Sequence, residues 1–256
     1  MSPETNSADS AGVPWEGRRF EPNPAVGDDG SADPALYAAL TNFRNGSGDQ
    51  IAIVEALRTA RVLIPLIAEK GEEGVAPSGL AVDKTQELSI VTVAAPDGRT
   101  VLPIFTSVDA MRTWDPLARP IPVAGVRAAL SAASDQTDLI VIDPTAETEY
   151  IVRRPAVWAL AQDVPWVPSA ESPEVFAALQ ESVATELAVI DLTMASGDPQ
   201  ARLHGPELVV SLELVDGLDQ TQLDAVLQRL AQRWAADNRV AVLVDSLSVK
   251  LVRSAS

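Results

Sequence analysis

Every apolar run in this chain is the length of a strand, and the runs alternate with stripes of apolar residues at helical spacing. A chain built this way has to cover short sheets with amphipathic helices. Leu139 to Ile142 is a continuous apolar run that stops at Asp143 and Pro144, as a fully buried strand does, and Tyr150 to Val152 is its return partner. Val62 to Ile67 is a second such run, in which Pro65 predicts an edge or a bulge because proline cannot donate to a ladder. Leu88 to Val93 predicts a strand that turns at Pro96, Asp97 and Gly98 into Thr100 to Phe105 as a hairpin. The segment from Ala68 to Gln86 between these strands reads as a long loop.

The helices announce themselves by their caps. Asp33 with Pro34 starts a helix that carries Leu36, Leu40 and Phe43 at helical spacing. A second helix from about Asp49 to Thr59 turns Ile53, Val54 and Leu57 to one face. Thr106 or Ser107 can cap a short helix reaching Trp114, and after Val123 a helix is predicted with Val126, Ala129, Leu130 and Ala133 inward. Prolines at 155, 165, 168 and 173 mark a boundary near residue 170. Beyond it, Ser172 with Pro173 starts another helix. Ala188, Ile190, Leu192 and Met194 then alternate with more polar neighbours, as do Leu208, Val210, Leu212 and Leu214. Asp219 with Gln222 reads as a capping box for a helix whose buried stripe is Leu223, Val226, Leu227, Leu230 and Trp234. Val240 to Val244 and Val249 to Val252 read as closing strands. The expectation is an α/β (α+β) fold of two units, residues 35–170 with a mixed sheet and residues 171–256 as a smaller two-layer unit. Residues 1–34, rich in Ser, Pro, Gly, Asn and Asp, read as a disordered acidic arm.

Charge and composition exclude several roles. With 36 acidic and 19 basic side chains the net charge is −17, and the only adjacent basic pairs are Arg18-Arg19 and Arg153-Arg154. Phosphate backbones and anionic membranes need clustered cations, so nucleic acid and membrane are not expected partners. The absence of cysteine removes disulfides, thiolate nucleophiles and Cys-ligated zinc, and fits a reducing compartment. The opening residues have neither the charged nor the apolar region of a secretory signal, and no apolar run approaches the roughly 18 residues of a membrane span. A cytoplasmic address follows as an expectation.

Catalytic and cofactor signatures are missing. His204, the only histidine, lies in the loop from Ala195 to Pro206 with no nucleophile pattern around any serine, so it reads as exposed or structural. No glycine-rich phosphate cradle exists, and no metal or cofactor is expected. Asp28, Asp29 and Gly30 lack the spaced ligands of a calcium loop and read as a turn. Glu72 with Glu73, and Glu147 with Glu149, sit where water keeps carboxylates ordinary. Trp15, Arg18, Arg19 and Phe20 form the one cluster of aromatic and cationic residues inside the polar arm, the residue types that anchor interfaces, and are read as a docking segment.

From Val62 to Asp143 the chain carries V-L-I-P-L, then Asp83-Lys84, P-D-G-R at Pro96 to Arg99, L-P-I-F-T-S at Leu102 to Ser107, Trp114, A-R-P at Ala118 to Pro120 and L-I-V-I-D-P at Leu139 to Pro144. In their order and spacing these resemble the SseB, or enhanced-serine-sensitivity, family. Asn23 to Gly30 and the helix after Asp33 look like its form in high-GC bacteria. The resemblance spans roughly residues 20–165 and implies an SseB-like fold for the first unit and a cytoplasmic address. It implies no chemistry, since the family name records a growth phenotype. A pocket, if present, is expected at strand ends around Phe105, Trp114, Arg119 and Asp143, where an Arg119–Asp143 pair would either bind a ligand or fasten two loops. The leading expectation is a non-enzymatic cytosolic protein that binds another protein, as a monomer or weak dimer. The alternative is an amino-acid-type small-molecule sensor or weak metabolic enzyme.

Overall fold

Helix α1 (Pro34–Arg44) starts where Asp33 accepts the backbone N–H groups of Ala35 and Leu36, with Pro34 supplying a preset φ at the first helical position. The computed structural model describes residues 28–68, 88–90, 92–95, 97–134, 137 and 139–252. The segment from Trp15 to Phe20 that was read as a docking segment, and nearly all of the loop from Ala68 to Gln86, lie outside these. Helix α2 (Gln50–Thr59) is capped by Asp49 and leads directly into β1 (Arg61–Ala68). Next come β2 (Leu88–Ile90), β3 (Val93–Ala94), β4 (Thr100–Ile104), α3 (Val108–Trp114), β5 (Arg119–Ala124), α4 (Gly125–Ser134), β6 (Ile140–Ile142), β7 (Tyr150–Val152) and α5 (Arg154–Ala161).

Two sheets arise from these strands. One has the order β2-β1-β5 and is antiparallel throughout; the other has the order β3-β4-β6-β7, with β4 and β6 parallel. The predicted strand from Leu88 to Val93 is therefore divided, its first part pairing with β1 and its last part with β4. Pro65 is neither at an edge nor in a bulge, since β1 is the central strand of its sheet. The reason is register. Leu63 exchanges both backbone hydrogen bonds with Phe105, just past β4, so alternate residues of β1 turn their N–H away from β5. Pro65 faces Pro120, and Leu63 faces Pro122, at positions where neither strand needs a donor. The same Leu63–Phe105 bridge joins the two sheets.

The largest core packs Leu36, Leu40, Ile53, Leu57, Ala128, Ala132, Val157 and Leu160 of the helices on Ile104, Ile140, Ile142 and Val152 of the strands. Helix α4 buries Gly125, Ala128, Ala129 and Ala132 and leaves Leu130 exposed, a face rotated from the one expected. Close approach decides the rotation, because a Cβ on Gly125 would lie 1.9 Å from the carbonyl oxygen of Leu57. Only the small-residue face of α4 fits against α2.

After a single 3-10 turn at Ser169–Glu171, α6 (Pro173–Val183) is capped by Ser172 and followed by β8 (Val189–Ser196), β9 (Leu208–Leu214), α7 (Gln220–Ala236), α8 (Asn238–Leu243) and β10 (Leu247–Val252). Their sheet has the order β10-β9-β8, with β9 antiparallel to β8 and parallel to β10. Val175, Leu179, Val226, Leu230 and Trp234 cover Leu208, Val210 and Leu212 on one face. The capping box of α7 forms as expected. Val240 to Val244 is not a strand. Asp237 caps this segment by accepting the N–H of Arg239, and a short apolar run without a period then follows its cap into α8. Ile190 is exposed although the alternation predicts it buried, because the pairing slips between Val189 and Asp191.

These contacts give a direct test. Gly125→Ala is expected to cost about 2–3 kcal/mol in urea unfolding, as overpacking against rigid backbone does, while Leu130→Ala costs under about 0.5 kcal/mol. Equal, small losses for both would refute the close approach of α2 and α4.

Candidate functional site

The four residues expected to form a pocket are divided by the structure. Phe105 is wholly buried and its ring lies 5.3 Å from that of the half-buried Trp114, tilted by 42°. Leu63, Met111 and Ala118 complete this small core under α3, which Ser107 caps through the N–H of Ala110. Asp143 is buried at the end of β6 with φ 45°, a conformation that aspartate tolerates better than most residues. Its carboxylate accepts the N–H of Thr106 at 2.8 Å, the Thr106 hydroxyl at 2.7 Å and the Thr148 hydroxyl at 2.9 Å. No Arg119–Asp143 pair exists. Arg119 is exposed on β5 opposite Leu66 and has no ion-pair partner among the described residues. Threonines hold Asp143 instead, and it fastens the loop after β4 to the loop after β6.

A cavity of about 490 Å³ does open beside this group, but it uses the neighbours of the predicted residues: Val108, Asp109 and Arg112 of α3, Pro120 and Pro122 of β5, and the turn from Asp28 to Ser31. That turn is built as expected. Asp28 accepts the N–H of Gly30 at 2.9 Å and the Arg61 guanidinium at 2.8 Å, and Gly30 accepts the N–H of Val108.

The densest polar cluster was not legible as a site. Arg153, immediately after β7, donates to Asp198 at 2.7 Å, to the Gly205 carbonyl at 2.8 Å, to Asp245 at 3.0 Å and to the Ser246 hydroxyl at 3.2 Å. Arg99, from the turn between β3 and β4, grips Asp245 through two bonds of 2.7 and 3.0 Å. Asp198 also accepts the N–H of Leu203, which holds the loop from Gly197 to Glu207 closed while Ala201 and Leu203 reach into the cores around the first sheets. Glu207 accepts the N–H of Asp245. The one available signal was Arg153-Arg154 sitting between a buried strand and an apolar helix, where cations need partners. His204 is exposed beside a cavity of about 860 Å³ that also touches Arg99 and Ser246.

Burial sets the titration of these groups. Desolvation pushes Asp143 above the usual carboxylate range against its three hydrogen bonds, and pushes Glu207 up against the Asp245 N–H. Desolvation is the largest influence on Asp245 as well, but Arg99 and Arg153 together outweigh it and hold the carboxyl below its ordinary value.

A third surface is apolar. Helix α5, the segment after it and α8 enclose a groove of about 480 Å³ between Trp158, Val164, Trp166, Val167 and Val242, with Glu174 at its rim. Arg154 lies over the Trp158 ring at 5.1 Å and is tied to the carbonyls of Ala241 and Val244. The buried indole N–H of Trp166 has no acceptor among the described residues.

Comparison with known families matches residues 36–159 to the SseB protein N-terminal domain. Residues 36–159 carry an SseB N-terminal domain. The matched stretch contains the Phe105–Trp114 pair and the buried Asp143, and ends inside α5, short of the loop that Asp198 closes. No curated protein and no solved structure matches the chain. Among the described residues no helix is long and apolar enough to cross a membrane, and no cluster of His, Cys, Asp or Glu is placed to hold a metal.

The sign of the Asp143 shift can be measured. A raised carboxyl pKa means that the folded state holds the proton more tightly, so its stabilising contribution is full below the unfolded value and is lost as pH rises through the folded one. The stability of the wild type relative to Asp143→Asn is therefore expected to improve as pH falls from neutral toward that range. A relative stability that worsens on acidification would contradict burial as the dominant cause.

Proposed function

We propose that this SseB-domain protein acts in the cytosol without catalysis, by binding an extended segment of another protein. The observation that carries the reading is the free edge of β10. This strand pairs with β9 on one side and with no described strand on the other, and Val249, Leu251 and Val252 are 37%, 44% and 43% exposed. Val249 and Leu251 continue the face formed by Val210 and Leu212, which is fully buried. An incoming strand with apolar residues at alternate positions would complete that face and satisfy the open backbone groups together. The net charge of −17 favours basic residues at its other positions. The disposition of the buried charges supports a non-enzymatic role. Asp143, Asp198, Asp245 and Glu207 are each engaged by internal donors, and the cavity that Asp198 and Glu207 line is only about 30 Å³.

Capture from native cytosol with the wild type and with Val249→Glu/Leu251→Glu side by side tests the edge. A stoichiometric partner that the variant loses, with its melting temperature nearly unchanged, is the expected result. A partner retained by the variant would move binding elsewhere, and a dimer mass for the free wild type would make the edge self-pairing.

The cavity beside Arg112 favours a second reading, a small-molecule sensor. Its volume suits an amino acid, and Arg112 and Asp109 offer opposite charges with no side-chain partner among the described residues. Ligand binding to the folded state must raise the melting temperature. A screen of amino acids and nucleotides that moves it for the wild type but not for Arg112→Ala would establish this reading, and a flat screen removes it.

A further inference from the structure

The junction around Arg153 carries more negative than positive charge. Arg153 pairs with Asp198 and Asp245, and Arg99 grips Asp245 while its Nε turns to the exposed Asp97. Glu207, only 8% exposed, has no ion-pair partner among the described residues. Two guanidinium groups thus serve three carboxylates that water barely reaches. A buried carboxylate without a cation gives up its charge by taking a proton from solvent. We propose that Glu207 is a proton-operated latch: with its proton it closes the start of β9 on the segment before β10, and on losing the proton it loosens that closure.

Glu207 stands where such a latch can act. Its side chain accepts the N–H of Asp245 at 2.5 Å, its own N–H donates to the Ser246 hydroxyl at 2.9 Å, and the next N–H, of Leu208, donates to the Ser246 carbonyl at 3.0 Å. Its carbonyl accepts the N–H of Gly197 and so closes the loop that leads into β9. Leu247 begins β10 directly after Ser246. These bonds hold the starts of two paired strands, and a change at one carboxyl reaches both.

The groups facing Glu207 decide which way it responds. Around the cavity of about 30 Å³ that it lines are Arg153 after β7, Glu171 of the 3-10 turn and Asp198 of the closed loop, with the neutral Gln50 of α2, Ser169 and Ser196. Tyr150 of β7 is close enough to feel this charge but is held neutral, because burial pushes its hydroxyl up. Desolvation is the largest influence on Glu207 and raises its carboxyl; the negative charge of Asp245 adds to this, and the Asp245 N–H, Arg153 and the Ser169 hydroxyl are outweighed. Asp245 does not take the proton in its place, since Arg99 and Arg153 hold it charged against its own desolvation. A raised carboxyl contributes its full stability below the unfolded value and loses it as pH rises through the folded one. The latch is therefore tight in acid and loosens toward alkaline pH. What β10 binds plays no part in this inference.

Hydrogen exchange of the full chain, followed by NMR from about pH 5 to about pH 8, tests the latch at the N–H groups of Asp245 and Leu208. Their protection, taken relative to unstructured peptide so that base catalysis cancels, is expected to fall severalfold across this range in the wild type. In Glu207→Gln, which keeps the shape and cannot ionise, it should stay constant. Asp143→Asn removes the other raised carboxyl and should leave the fall in place. If Glu207→Gln does not fold, NMR titration of the Glu207 carboxyl carbon in the wild type reads the same property, and its midpoint should lie above the ordinary glutamate range. Constant protection in the wild type overturns the proposal. So does the same fall in Glu207→Gln, which would pass the titration to His204 or another group, and so does loss of the fall in Asp143→Asn. A Glu207 midpoint at or below the ordinary range also overturns it.

Discussion

Arg153 is the residue on which the arrangement of the molecule depends. It leaves β7 at the end of the first set of strands and reaches Asp198 and Asp245, which belong to the loop before β9 and to the segment before β10. Arg153 and Asp198 are buried, and the Asp245 side chain is wholly so. An ion pair in such a place adds little over well-packed apolar side chains, but removing one member strands the others at a cost of about 3–5 kcal/mol. The network therefore fixes geometry more than it adds stability. Its second arginine, Arg99, also comes from the first sheets, so Asp245 is held from two directions.

The consequences run along a short stretch of chain. Val242 and Leu243 wall the tryptophan groove, Asp245 and Ser246 are gripped by Arg153, and Leu247 begins the open edge strand. The anchor thus positions the wall of the groove and the start of the edge strand. Asp198 does similar work on the other side: by accepting the N–H groups of Arg202 and Leu203 it holds a loop in which Ala201 and Leu203 have φ of 47° and 61°. Left-handed conformations cost roughly 1–3 kcal/mol each, and here the apolar contacts of both residues with the first sheets offset them.

What could be read in the sequence was local. Asp33 with Pro34, Ser172 with Pro173, and Asp219 with Gln222 are caps whose partners lie within three residues, and each starts its helix as expected. Leu139 to Ile142 needed only its own apolarity to be recognised as buried. What could not be read depends on distant partners. The inward face of α4 is chosen by the carbonyl of Leu57, the tolerance of Pro65 by Pro120 and Phe105, and the exposure of Ile190 by a slip against β9. The expected partner of Asp143 was an arginine because a buried carboxylate invites one, yet three threonine donors serve it. Arg153 was visible only as half of a basic pair, since nothing near it in sequence announces Asp198 or Asp245.

Calorimetry of Arg153→Met tests the central claim most directly. If the charged junction couples the first sheets to the C-terminal sheet, the wild type unfolds in one cooperative transition. The variant should then show two, the lower one losing the C-terminal sheet, with about 3–5 kcal/mol of stability gone. A single transition in the variant at nearly the wild-type temperature would show that the apolar contacts of Ala201 and Leu203 suffice and that Arg153 does not organise the molecule.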